Sequence, residues 1–247
     1  MPDEGPSFYD QTSVFENYTN RRKLAGNPND TMELPVINQL LGDTRGKSFL
    51  DMGCGDARFS AELLLNGATQ YVGVEGSGLM FEAARRNVAD PRAQIVHADL
   101  RSWSYPVSAF DVVVSRLALH YIDDVAAIFL KVFQALKASG RFVFSIEHPV
   151  ITSCDKAWRG EGLRQDWLVD DYFVTGRRIT TWLGSEVVKY HRTTEDYFSG
   201  LQSAGFVVQA LREARPERMH FADEATYERR KRIPLFLIFA AQKSESM

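Results

Sequence analysis

Apolar positions along the chain follow two periods in turn, and that alternation predicts the architecture. Ser48-Phe49-Leu50-Asp51-Met52 is a short, nearly continuous apolar run stopped by Gly53-Cys54-Gly55, the signature of a buried strand. A helix is predicted over 57–66, with Gly67 ending it. A second strand follows at 71–75. The helix predicted over 79–88 sets Leu79, Met80, Ala83, Ala84 and Val88 on one face. Further strands read at 93–97 and 110–115. Val125, Ile128, Phe129, Val132, Phe133 and Leu136 then recur at helical spacing, with Gly140 just past their end. A fifth strand is predicted at 141–146. Strands of this kind alternating with helices predict an α/β fold, a Rossmann-like and mostly parallel sheet with helices on both faces.

After His148-Pro149 the pattern changes. Residues 149–192 are rich in Trp, Tyr, Arg and Gly, with turn signals at Gly176-Arg177 and Gly184-Ser185 around β-favouring runs at 178–182 and 186–190. They predict a small antiparallel insertion. The alternation resumes with Thr193 capping a helix over 194–204, Gly205 ending it, and strands at 206–211 and 233–241. The first 45 residues carry Tyr9, Phe15, Tyr18, Arg21 and Arg22, too aromatic for a free tail, and predict one or two helices over the sheet edge. The expected organisation is a helical lid at 1–45, a core at 46–148 and 193–247, and a substrate-binding insertion at 149–192.

Composition narrows the class. A length of 247 residues suits one large domain with an insertion. With 45% hydrophobic and 25% charged residues, fibrous and wholly disordered classes are excluded. Lys and Arg number 29 against 32 Asp and Glu, a net charge of −3, so no general attraction to a polyanion is expected. Two cysteines, Cys54 and Cys154, are too few for a disulfide framework or a structural zinc site. The opening Met1-Pro2-Asp3-Glu4-Gly5-Pro6 lacks a basic region followed by an apolar one, and the apolar run at 233–241 contains Pro234 and is too short to span a bilayer. A cytoplasmic protein is expected, with no membrane and no nucleic-acid partner, as a monomer or homodimer.

Three sequence features carry chemistry. Gly53-x-Gly55 after a strand lets backbone approach a ligand and leaves a helix N-terminus facing it, although a bare tight turn has the same pattern. Arg58 stands where a dinucleotide fingerprint has its third glycine, which argues against a nicotinamide enzyme. Glu75, at the end of the second strand, suits a ribose diol or is a solvated strand-end acid. Asp99 suits an adenine amino group, with Leu100 over the ring, or is a turn cap.

Together these positions resemble the class I S-adenosylmethionine-dependent methyltransferases. Leu50-Asp51-Met52-Gly53-Cys54-Gly55 is similar to that family's first motif, Val74-Glu75-Gly76 to its second, and Ala98-Asp99-Leu100 to its adenine segment. Residues 110–115 and 133–142 resemble the fourth and fifth motif regions. The resemblance implies S-adenosyl-L-methionine as cofactor, S-adenosyl-L-homocysteine as product, and a seven-stranded sheet whose last strand runs antiparallel. It places Ser115, Arg116 and Leu117 beside the methionine part, His120 near the cofactor, and Tyr9, Tyr18 and Arg22 in a segment closing over it, with Arg22 near the methionine carboxylate, although Tyr18 as packing and Arg22 as a solvated charge read equally well.

The expected activity is methyl transfer to a small, flat or heterocyclic acceptor, on nitrogen or oxygen, mainly by in-line positioning. Where a proton must leave, His148, Glu147 or His120 is the candidate base, the alternatives being a turn-stabilising role for Glu147 or His148 and simple packing for His120; a neutral ring nitrogen needs none. Tyr9, His148, Trp158, Trp167, Trp182 and Tyr190 are the candidate acceptor-site residues, several of them offering stacking faces. His97 reads as structural, His191 and His220 carry no signal, and five unclustered histidines predict no metal site. Arg229-Arg230-Lys231-Arg232 reads as a solvated face before a buried strand rather than an RNA site. Glu147-His148-Pro149 and residues 189–193 resemble a bacterial small-molecule branch that includes toxoflavin-type azapteridine N-methyltransferases. The competing classes are an RNA or protein methyltransferase and a non-catalytic adenosyl-binding protein.

Overall fold

In the computed structural model, which describes residues 3–24, 26–155 and 166–244, the chain opens on a two-residue strand, β1 (Asp3–Glu4), and a 3-10 turn at Gly5–Asp10. Helix α1 (Thr12–Arg22) follows, then a π-helical turn at Asn29–Glu33 that runs into α2 (Leu34–Leu41). The alternating part comprises β2 (Ser48–Met52), α3 (Arg58–Leu65), β3 (Gln70–Glu75), α4 (Gly78–Asn87), β4 (Ala93–His97), β5 (Phe110–Arg116), α5 (Val125–Ala135) and β6 (Leu136–Glu147). A single-turn α6 (Pro149–Thr152) leads to the hairpin β7 (Gly176–Trp182) and β8 (Ser185–His191). The chain closes with α7 (Thr194–Ser203), β9 (Phe206–Glu213), α8 (Glu224–Lys231) and β10 (Phe236–Lys243).

Seven strands form one sheet in the order β4-β3-β2-β5-β6-β10-β9. β10 pairs antiparallel with both β6 and β9, while β2 through β6 pair parallel, as expected for the family the sequence resembles. The sequence order reverses between β2 and β5, so the loops after β2 and β5 diverge and leave a crevice at the carboxyl edge. β10 starts after Pro234, which has no N–H to give the ladder, and therefore later than the apolar run predicts. β6 starts earlier than predicted because Leu136 pairs with Phe110 ahead of a register shift. Helix α8 was not foreseen; Asp223 caps it by accepting the Thr226 N–H at 2.7 Å, and the basic run occupies its last turn, where cations favour the helix dipole.

Both faces of the sheet are covered. Leu50, Met52, Val74 and Phe144 pack under α5 and α7, while Phe49, Tyr71, Val112 and Ile238 pack under α2 and α3. Phe129, Phe142, Phe144 and Phe239 are all fully buried; each such side chain contributes about 1.5–3 kcal/mol. Thr193 and Asp196 form a capping box at the start of α7, as the sequence indicates.

The insertion is the expected antiparallel hairpin, with one correction to its turns. Gly176 opens β7 instead of making a turn; the reversal lies at Leu183-Gly184, both at positive φ (53° and 89°), which matches the twist of a tight hairpin. The N-terminal segment is not helical throughout. β1 pairs parallel with β8, Asp3 opposite Val187 and Glu4 opposite Val188, so it joins the insertion's sheet. Phe8, Val14 and Val187 form a small core between the two. Asp10 Oδ1 accepts from Ser77 Oγ at 2.7 Å and from the Leu79 N–H at 3.1 Å, fastening this segment to the start of α4. Among the described residues no helix is long and apolar enough to cross a membrane.

Candidate active site

The loop after β2 is built so that backbone, not side chains, faces the crevice. Gly53 sits at φ +71°, and a Cβ there would lie 2.6 Å from Ala118 Cβ, so the position admits only glycine. Gly55, at φ +58°, faces open space. The Gly53 N–H donates to Val74 O at 2.8 Å, tying the loop to the end of β3. Glu75 finishes the job: its two carboxylate oxygens accept the Gly55 and Ser77 N–H groups, each at 2.8 Å. Burial raises the Glu75 carboxyl, opposed by these backbone donors.

Asp51, two residues before Gly53 on β2, is 2% exposed. The Tyr71 hydroxyl donates to its Oδ2 at 2.6 Å, but Oδ1 is buried without a hydrogen-bond partner among the described residues. Burial pushes this carboxyl up to about 6. A buried, half-satisfied acid at the wall of a cavity fits a cationic ligand group. Across the cavity, Arg22 Nη2 donates to Asp30 Oδ1 at 2.8 Å, while Nη1 is buried with no partner among the described residues, which fits an anionic one.

These groups share one cavity of about 600 Å³. Its lining includes Asp51, Gly53, Cys54, Gly55, Glu75 and Gly76 on one side, then Asp99, Leu100, Arg116 and Leu117. Asp99 borders the cavity and holds a turn, the cap weighed from sequence, by accepting the Arg101 N–H at 2.8 Å and the Arg101 guanidinium. Arg116 Nε donates to both oxygens of the fully buried Glu33 at 3.1 Å, and Ser145 Oγ donates to the same carboxylate at 2.6 Å. The N-terminal segment roofs the space with Tyr9, Tyr18, Arg21 and Arg22, and Pro6 packs so close to Gly76 that a Cβ would fall 2.4 Å from it.

The far end is aromatic and holds one charged pair. Tyr9 and Tyr121 hydroxyls are 3.2 Å apart, and Trp167 and Trp182 line the wall. Lys189 Nζ donates to both Glu147 oxygens at 2.7 Å and lies 5.3 Å from the Trp182 ring. Burial works to raise the Glu147 carboxyl, but Lys189, bonded to both its oxygens, holds it below its ordinary value. Burial lowers His120 to about 4.

Several expected site residues lie elsewhere. His148 does not line the cavity: its Nδ1 accepts the Val150 N–H at 3.2 Å as the cap of α6, and its Nε2 pairs with Glu213 on β9 at 3.0 Å. Ser115 is fully buried and donates to Met52 O at 2.9 Å, stitching β5 to β2. Ala98 gives its N–H to Glu75 O at 2.9 Å and packs against the core. Tyr190 also stays outside the lining; neighbours on a strand face opposite ways, and it is the buried Lys189 that reaches the cavity-lining Glu147. Trp158 lies outside the described residues. Sequence reasoning missed Lys189, Tyr121, Arg21 and Glu33. A lysine in the middle of the β-favouring run before His191 was the available signal for the first. Among the described residues, no group of three His, Cys, Asp or Glu side chains is placed to hold a metal ion.

A methyltransferase-domain family model matches residues 50–144. The structure is similar to a protein from Listeria monocytogenes described as an S-adenosylmethionine-dependent methyltransferase, 33% identical, covering 86% of this chain and 97% of that one, with a TM-score of 0.81. It is also similar to an S-adenosylmethionine-dependent methyltransferase from Mesorhizobium loti, 34% identical over 85% of this chain and 97% of that one, TM-score 0.77. An uncharacterized protein of Haemophilus influenzae is 31% identical over 84% of this chain and 85% of its own length. The chain belongs to the S-adenosylmethionine-dependent methyltransferases, and its cofactor is S-adenosylmethionine.

Proposed function

We propose that this methyltransferase acts on a small, flat acceptor, a nitrogen heterocycle or a phenol, held at the aromatic end of the cavity. The observation that carries this reading is the roof: the N-terminal segment and the small sheet converge over the site with Tyr9, Tyr18, Tyr121, Trp167 and Trp182 in its lining. Such walls stack on flat molecules and exclude water. The resemblance of residues 147–149 and 189–193 to a bacterial small-molecule branch of the family, which includes azapteridine N-methyltransferases, supports the same class of acceptor.

When bound, the cofactor supplies an electrophilic methyl group on a sulfonium. Glu75 is suited to accept both hydroxyls of the ribose, since each of its oxygens keeps a lone pair beyond the loop N–H it already holds. Asp51 Oδ1 is suited to the amino group of the methionine part and Arg22 Nη1 to its carboxylate. Cys54, Gly55, Gly76 and Leu100 supply close walls around the adenosine, with Asp99 at the adenine edge and Arg116 and Leu117 beside the methionine part. Loss of His148 from the site leaves Glu147 and His120 beside the acceptor. Neither is a strong base there: Glu147 is neutralised by Lys189, and His120 is kept uncharged by burial. Positioning therefore does most of the work.

Incubation of the protein and S-adenosylmethionine with a panel of heterocycles and phenols, read by mass spectrometry, tests the proposal. A protein-dependent small product heavier by one methylene supports it. Methyl label appearing only in added RNA or protein contradicts it.

A further inference from the structure

We infer that His120 meets the acceptor as a neutral N–H donor, its Nε2–H binding a lone pair on an oxygen or ring nitrogen next to the atom that is methylated. The inference rests on the preceding reading, in which the acceptor occupies the aromatic end of the cavity.

His120 belongs to the 3-10 turn Leu119–Tyr121 after β5, is 2% exposed, and lines the cavity. Its Nδ1 accepts the backbone N–H of Glu147 at 3.4 Å. A peptide nitrogen can only donate, so Nδ1 must present its lone pair, and in a neutral imidazole the proton is then on Nε2. Nε2 has no hydrogen-bond partner among the described residues, which leaves its donor for whatever enters.

The groups facing the ring keep it in that state. Glu147 on β6 favours a charged imidazole, but its carboxylate is already bonded twice to Lys189; Lys189 on β8 and Arg192 beyond it disfavour the charge, and burial does so most. Trp182 adds a second donor at the same wall: its indole N–H is buried with no partner among the described residues. Two donors at one wall favour a molecule that offers lone pairs there, such as a heterocycle or a phenolate with a neighbouring oxygen. The transfer balances without a proton passing to His120. The acceptor reacts as a neutral ring nitrogen or as a phenolate that has already given its proton to solvent; its lone pair forms the new bond to the methyl carbon, and the carbon–sulfur bond breaks with its electrons returning to sulfur.

Two measurements test this on the full-length protein. In the complex with S-adenosylhomocysteine, ¹⁵N-histidine spectra are recorded from about pH 5.5 to about pH 8, with His120→Asn to assign the resonances. A neutral ring protonated on Nε2 throughout is the expected result; protonation on Nδ1, or a titration within that range, overturns the inference. This reading needs no acceptor, so it fails or succeeds independently of the acceptor class. With an acceptor in hand, His120→Ala is expected to raise its KM about tenfold, His120→Asn to recover part of that through its amide N–H, and kcat to stay flat with pH. A kcat ionisation limb that disappears in His120→Ala would instead make the ring a base.

Discussion

Lys189 Nζ stands 2.7 Å from each carboxylate oxygen of Glu147, joining the small sheet to the end of β6 at the wall of the cavity. The pair holds the Glu147 carboxyl below its ordinary value, so the stability it contributes is present above the unfolded-state pKa and is lost as pH falls through the folded one. In Lys189→Met the carboxylate loses its cation. At pH 7 this is expected to cost about 2 kcal/mol, less than for a fully enclosed pair because Glu147 borders the cavity, and the cost shrinks toward about pH 5 as the carboxyl takes up a proton. Urea midpoints at the two pH values check it; equal midpoints for both proteins at pH 7 would remove the pair from the ledger.

Asp51 has the opposite sign. Its folded pKa is raised by burial to about 6, so its contribution to stability is intact below the unfolded value of about 3.9 and disappears as pH rises through about 6. Without ligand at about pH 7.5, Asp51→Asn is expected to melt about 2–4 °C above the natural protein, because the amide oxygen still accepts the Tyr71 hydroxyl and no charge is buried. With S-adenosylhomocysteine the order should reverse. Thermal melts with and without ligand decide it, and a variant stabilised by the ligand as much as the natural protein speaks against an Asp51 contact.

The two glycines of the first loop separate folding from binding. Gly53→Ala forces a Cβ to 2.6 Å from Ala118 and holds alanine at positive φ, so a loss of about 2–3 kcal/mol is expected. Gly55→Ala meets nothing within 4 Å, and its strain at φ +58° costs about 1 kcal/mol, yet the new methyl occupies space next to the ligand. Calorimetry should show Gly55→Ala folded with weakened S-adenosylhomocysteine affinity. Equal affinity to the natural protein would place the ligand away from that loop.

Glu75→Ala is expected to leave the Gly55 and Ser77 N–H groups unpartnered and to weaken S-adenosylhomocysteine at least tenfold, with Glu75→Gln intermediate. Binding titrations of the three proteins check the order; Glu75→Gln binding as tightly as the natural protein would mean that the second charged oxygen is not used.

The core was legible because buried parallel strands are apolar along their length: β2 and β4 match the sequence reading residue for residue, and β3 begins one residue earlier. Asp51, Gly53, Gly55 and Glu75 were legible because one strand-loop unit and its neighbour fix them locally. Partners far apart in sequence were not. Arg116 finds Glu33 across 83 positions, and Lys189 finds Glu147 across 42, through a hairpin whose placement depends on β1 pairing with β8. His148 misled for a different reason. It follows the right strand, but the chain turns at once into α6, and capping that turn directs the ring to Glu213 instead of the cavity.

A crystal structure of the complex with S-adenosylhomocysteine examines the grip itself. The expected map has the ribose diol on Glu75, the amino group on Asp51 Oδ1 and the thioether sulfur turned toward the end of the cavity that holds His120 and Tyr121. Density for the ligand bound away from Glu75 and Asp51, or with its sulfur facing the opposite wall, would contradict it.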